Sequence, residues 1–130
     1  MSAPERRLVV DTDVLVEYLR GRAEAAAFLE SRDEELIVSA LTVAELFAGL
    51  RGEDEERTLR RFLAAFRVAA ADLRLAEHAG TLRRRWHPSH GTGLADAFVA
   101  ATAIDLDANL ATFNAKHYPM LEAIVPYRRG

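Results

Sequence analysis

Three carboxylates stand at positions where chemistry is expected. Asp11 directly follows the apolar run Leu8-Val9-Val10. Glu45 follows the run Leu36-Ile37-Val38, within Ser39-Ala40-Leu41-Thr42-Val43-Ala44-Glu45-Leu46. Asp96 sits in Gly93-Leu94-Ala95-Asp96-Ala97-Phe98-Val99. In a chain without cysteine, such oxygens suit a hard ion, Mg2+ or Mn2+, which takes one or two carboxylates, keeps several waters and binds substrate phosphate. Three acids brought together crowd negative charge and raise one another's pKa, and a cation relieves that crowding. Such an ion lowers the pKa of its water and neutralises charge growing on a phosphodiester. The chemistry this predicts is in-line phosphodiester hydrolysis.

Each acid also has a purely structural reading. Asp11, Thr12 or Asp13 could cap the helix that follows the first strand. Thr42 and Glu45 have the spacing of a capping box. Asp96 could favour a helix N-terminus, worth about 0.3–1 kcal/mol. For Asp96 this reading is weakest. Its helix is apolar on nearly every side and so expected to be buried. An isolated buried carboxylate costs several kcal/mol, more than the dipole returns. No Lys or Arg lies within a turn of Asp96, so its cation is either distant in sequence or a metal.

The elements that must position these acids alternate along the chain. Leu8 to Val10 reads as a buried strand, Val14 to Arg20 as a helix ended near Gly21, and Ala23 to Leu29 as an alanine-rich helix. Leu36 to Val38 is a second strand, and Thr42 to Leu50 a helix closed by Gly52. Glu53 to Phe66 is amphipathic, with Leu59, Phe62, Leu63 and Phe66 on one stripe. Val68 to Ala70 is a short strand, and Asp72 to Trp86 a helix carrying Leu75, Ala79, Leu82 and Trp86. Pro88 to Gly93 reads as a loop, Leu94 to Leu106 as a helix and Leu110 to Thr112 as a strand. A turn of helix and an edge strand at Ile124-Val125 complete the tail. Short strands apolar on both faces, alternating with helices, predict an α/β fold with a central parallel sheet flanked by helices. Ligands in such folds bind beyond the carboxyl ends of the strands.

The 130 residues are one domain's worth, expected as a single unit over 1–130, and half are hydrophobic. The net charge of -3 excludes nucleic-acid binding by bulk electrostatics and requires a local patch. The absence of cysteine excludes disulfides and thiolate metal sites and fits a reducing compartment. The opening Met-Ser-Ala-Pro-Glu-Arg-Arg leads into an apolar run too short for a signal peptide, and no later run is long enough to span a membrane. A cytoplasmic protein is expected. Lys116 is the only lysine. Arg83-Arg84-Arg85 is the densest basic cluster, readable as an RNA phosphate grip or as cations at a helix C-terminus. Lys116 and His117 are expected on the solvated surface, and Arg128-Arg129 in a disordered tail. His87 and His90 lack the further ligands that zinc requires.

Four stretches together carry a family resemblance: Leu8-Val9-Val10-Asp11-Thr12-Asp13-Val14-Leu15, Ser39 to Gly49, Leu94 to Ala103, and Leu110-Ala111-Thr112-Phe113-Asn114-Ala115-Lys116-His117-Tyr118. In order and spacing the chain resembles the PIN-domain ribonucleases, and within them the VapC-like toxins of type II toxin–antitoxin systems. The resemblance implies a three-layer PIN fold with an acidic pocket, in which Asp11, Glu45 and Asp96 match the family's acids and carry Mg2+ or Mn2+. Asp11 and Asp96 are then direct ligands and Glu45 acts through a water, with Thr12, Asp13, Thr112 and Asn114 in support. Asn114 stands where many relatives have a further acid, which leaves one metal or two open; an asparagine can hold a metal-bound water. The resemblance also implies an endoribonuclease cutting tRNA, rRNA or mRNA, a homodimer, and silencing by a VapB-like antitoxin. Asp11-Thr12-Asp13-Val14-Leu15 also looks like the first motif of haloacid-dehalogenase phosphatases, in which the first Asp is a nucleophile. That family needs a lysine ahead of its late acids, and Lys116 follows Asp96. A PIN-like binding module without strong catalysis is the other alternative.

Overall fold

The structure, a computed structural model, describes residues 6–129; the expectation for the opening residues 1–5 lies outside it. Strands β1 (Arg7–Val10), β2 (Glu35–Ser39), β3 (Arg67–Ala69), β4 (Asn109–Ala111) and β5 (Ala123–Ile124) form one parallel sheet in the order β3-β2-β1-β4-β5. The helices are α1 (Thr12–Leu19), α2 (Ala23–Glu30), α3 (Ala40–Ala48), α4 (Glu53–Leu63), α5 (Leu73–His90) and α6 (Leu94–Asp105).

Alternation along the strands feeds two cores. Leu8, Val10, Val38 and Ala111 point to one face, against Val14 and Leu15 of α1, Leu29 of α2, Leu46 of α3 and Leu59 of α4. Val9, Ile37 and Leu110 point to the other, against Val99, Ala100 and Ala103 of α6. Covering both faces is what a parallel sheet requires, and the result is the expected three-layer α/β architecture. Helix α5 packs outside α6, with Leu75 and Ala79 against Ala97 and Ala101. The chain runs outward from β1 to β2 and β3, then returns to β4 on the far side of β1. The crevice between the carboxyl ends of β1 and β4 is therefore the switch point where ligands bind in such sheets. Among the described residues no helix is long and apolar enough to cross a membrane.

Several local expectations are corrected. Helix α3 starts at Ala40, because the Ser39 side chain accepts from the Leu41 amide at 3.1 Å. Thr42 is therefore inside the helix, and Gly49 rather than Gly52 closes it. Helix α5 continues through Pro88 to His90, where a loop was expected. Pro88 falls in the last turn, so it forfeits only the bond to the carbonyl four residues back. Gly91, at φ 69°, then ends the helix in the left-handed conformation that glycine tolerates.

Candidate active site

Asp11 leaves β1 and caps α1, its Oδ1 accepting from the Thr12 amide at 2.8 Å. The cap is only part of its role. Its Oδ2 accepts from the Thr112 hydroxyl at 2.8 Å and from the Tyr118 hydroxyl at 2.9 Å. Asp11 is 7% exposed, and burial raises its pKa above the usual carboxylate value. The hydrogen bonds from Thr112, Tyr118 and Thr12 oppose that rise, while the charge of Asp96 adds to it.

Tyr118 joins two of the acids. Its ring is buried, and its hydroxyl lies 3.3 Å from Asp96 Oδ1 as well as against Asp11. Burial, then the charges of Asp11 and Asp96, push its pKa far up, so it remains a protonated donor. Sequence reasoning gave Tyr118 no role. The available signal was that a buried tyrosine hydroxyl needs a partner.

Asp96 sits in the first turn of α6, where Oδ2 accepts from the Gly93 amide at 2.9 Å. It is not the isolated buried carboxylate expected: its side chain is 24% exposed and lies 3.3 Å from His117 Nδ1. The nearby potential cation is thus distant in sequence, and His117 is half-buried rather than fully solvated. Glu45 does not form the capping box with Thr42. It is exposed, and its Oε1 accepts from the Thr12 hydroxyl at 2.7 Å, which stands 3.1 Å from the Thr42 hydroxyl.

Asp13 is a latch rather than a cap. Its Oδ2 accepts from the Phe113 amide at 3.1 Å and the Asn114 side-chain amide at 3.2 Å. Asn114 thus directs that amide at Asp13, and its backbone N–H donates to Thr112 Oγ1 at 3.0 Å. Burial and the charge of Asp11 push the Asp13 pKa up to about 6. The expectation of a disordered tail fails at Arg129, whose guanidinium lies 4.2 Å from the Phe113 ring centre and 3.6 Å from Glu17.

The structure therefore brings Asp11 and Asp96 together across one hydroxyl and places Glu45 to the side, behind Thr12. Among the described residues no three Asp, Glu or His side chains converge tightly enough to hold an ion jointly. Two carboxylates plus waters are nevertheless what an Mg2+-like ion asks of a protein. The donors are all oxygen, the acids repel one another, and Asp13 Oδ1 is buried without a hydrogen-bond partner. These residues fit a hard cation.

A family model described as "PIN domain" matches residues 8–120. The chain belongs to the PIN-domain family. This PIN domain is 43% identical to ribonuclease VapC10 of Mycobacterium tuberculosis, over 92% of the chain and 91% of that protein. It is 38% identical to ribonuclease VapC19 of the same organism, over 91% of the chain and 97% of that protein. Among solved structures, it superposes on a chain of a toxin–antitoxin complex from Klebsiella pneumoniae with a TM-score of 0.81 and 27% identity, covering 98% of this chain and all of that one. PIN-domain ribonucleases of the VapC kind are metal-dependent in general.

Proposed function

We propose that this PIN domain is a metal-dependent endoribonuclease, the toxin of a VapBC-type pair, with Asp11, Asp96 and Glu45 as its catalytic acids. The observation that carries the proposal is the pairing of Asp11 and Asp96 across the Tyr118 hydroxyl at the sheet's switch point. Asp11 and Asp96 are the direct ligands of Mg2+ or Mn2+, and Glu45 acts through a water. When bound, the ion supplies a water of lowered pKa and neutralises charge developing on the phosphodiester. Thr112 and Tyr118 fix the Asp11 carboxylate by donating to Oδ2, and the Gly93 amide fixes Asp96. Thr12 orients Glu45, leaving its other oxygen to accept from water in the crevice. Asp13 and Asn114 support the site by tying the loop after β4 to the start of α1. The substrate is cellular RNA, the silencing partner a VapB-like antitoxin, the setting the cytoplasm and the assembly a homodimer.

The phosphatase alternative needs a lysine beside the nucleophile. Lys116 is exposed, and no described hydrogen bond or ion pair joins a lysine to Asp11 or Asp96. The test is tight induction of the wild type beside Asp96→Asn, following growth and RNA integrity together. Growth arrest with discrete RNA fragments from the wild type alone is the expected result, with activity down by more than about 100-fold in the variant, beyond the effect of outer-shell changes. Cleavage by folded Asp96→Asn at the wild-type rate would sink the assignment. A wild type with no Mn2+ or Mg2+ affinity at millimolar metal would favour the binding-module alternative.

A further inference from the structure

Most arginines outside the site face acids: Arg6 pairs with Asp33, Arg22 with Glu17, Arg32 with Glu34, Arg60 with Glu56 and Arg67 with Glu35. Among the described residues Arg20, Arg61, Arg74 and Arg128 stand apart from such pairs, and so do Arg83, Arg84 and Arg85, which are consecutive on α5. All three are exposed, and none enters an ion pair among the described residues. No Asp or Glu occurs between Glu77 and Asp96, so nothing on this stretch neutralises them. The helix dipole does not account for them, because its effect fades within the last turn. The basic residues of that turn are His87 and His90.

The same stretch carries an aromatic surface. The Arg85 guanidinium lies 4.9 Å from the Trp86 ring centre, and the His90 ring meets Trp86 edge-on at 5.5 Å. Cations interleaved with rings are how proteins hold single-stranded nucleic acid, the cations on phosphates and the rings against bases.

This surface is bolted to the acids. His87 Nδ1 is 3.1 Å from the Thr92 carbonyl, and the Thr92 hydroxyl donates to the His117 carbonyl at 2.6 Å. His117 in turn faces Asp96. At about 1.5 Å per residue, Arg84 lies roughly 10 Å along the helix from Gly91. Lys116 is exposed and precedes His117 in the chain. In a chain of net charge -3, the α5 arginines are the local patch that RNA binding requires.

We infer that the C-terminal half of α5, with Lys116, is the track on which an RNA strand lies as it enters the acidic crevice: Arg83, Arg84 and Lys116 hold phosphates, and Arg85 with Trp86 forms a stacking platform. The inference rests on the ribonuclease reading. Its test is binding of a labelled, mixed-sequence single-stranded RNA to the full chain in chelator, where metal-dependent cleavage is silent. The wild type is compared with Arg83→Ala/Arg84→Ala/Arg85→Ala and with a charge-matched control, Arg6→Ala/Arg57→Ala/Arg61→Ala. A thermal melt checks that each is folded. The α5 triple is expected to bind about 10-fold more weakly at 0.1 M salt, with the slope of log K against log salt flatter by about 2. The control should match the wild type. Arg83→Lys/Arg84→Lys/Arg85→Lys should restore the slope. Equal weakening by both alanine triples, or unchanged binding by the α5 triple, overturns the inference. Separate assays with Mn2+ added test the ribonuclease reading: a wild type that binds RNA on α5 but never cuts it would remove that reading and leave the track.

Discussion

Two buried acids at opposite ends of the strands have opposite fates. Glu34, before β2, has a side chain 1% exposed and accepts twice from Arg32, at 2.7 and 3.1 Å. Its pKa is lowered, first by the hydrogen bond from Arg32. Asp11, after β1, is nearly as buried but has only neutral donors, and its pKa is raised. Beside Glu34 the fold supplies its own cation. Around Asp11 it supplies a cage of hydroxyls and an amide, with no cation among the donors to that carboxylate. The acid proposed as functional and the structural one thus differ less in burial than in whether a counter-charge is built in.

Removing the built-in cation should have the largest effect on stability. Arg32→Leu strands the buried Glu34 carboxylate and should cost about 3 kcal/mol in urea denaturation. Asp11→Asn should cost less metal-free stability than Arg32→Leu: Oδ1 keeps the cap and charge crowding falls, although the amide nitrogen that replaces Oδ2 no longer accepts from the Thr112 and Tyr118 hydroxyls. A larger loss from Asp11→Asn than from Arg32→Leu would break the contrast.

Tyr118→Phe sharpens it. Losing one buried hydrogen bond should lower metal-free stability by about 1 kcal/mol. Because Tyr118 holds the Asp11 pKa down, its loss should also move the pH midpoint of Mn2+ binding upward. Calorimetry across pH reads this, and an unmoved midpoint would assign Tyr118 to packing alone.

The pH dependence of metal-free stability tests the same contrast without a substitution. Asp13 titrates at about 6 in the fold against 3.8 for an unperturbed side chain. Between those values the native state binds more protons than the unfolded chain, so its contribution to stability falls as pH rises from about 4 to about 6. Added Mn2+ at pH 7 should offset the loss. At Glu34 the sign is reversed, with stability lost as pH falls through the lowered pKa.

The strands and most helices were legible because the apolar runs are short and bounded, and β1, β2 and β4 lie within a residue of where Leu8–Val10, Leu36–Val38 and Leu110–Thr112 place them. The acids were legible as residues following strands. Their partners were not. Thr42 and Glu45 fit a local capping pattern, but Ser39 captures the helix start, and Thr12, from another element, captures Glu45. Asn114 stands in the fourth motif, and neither segment alone tells that its side-chain amide donates to Asp13. Tyr118 and Arg129 act through residues far away in sequence, Asp11 and Glu17 lying more than a hundred positions off, and periodicity carries no information about such contacts.

That separation has a consequence for synthesis. Asp11 receives hydrogen bonds from Thr112 and Tyr118, 101 and 107 residues later, and β1 cannot pair with β4 until both exist. Chains are made from the N-terminus at about 5–20 residues per second, and pairings of high contact order form late. For the several seconds that the intervening residues take to emerge, a nascent chain carries the first acid with no pocket around it. The fold thus delays assembly of the acidic pocket until nearly all of the chain has left the ribosome.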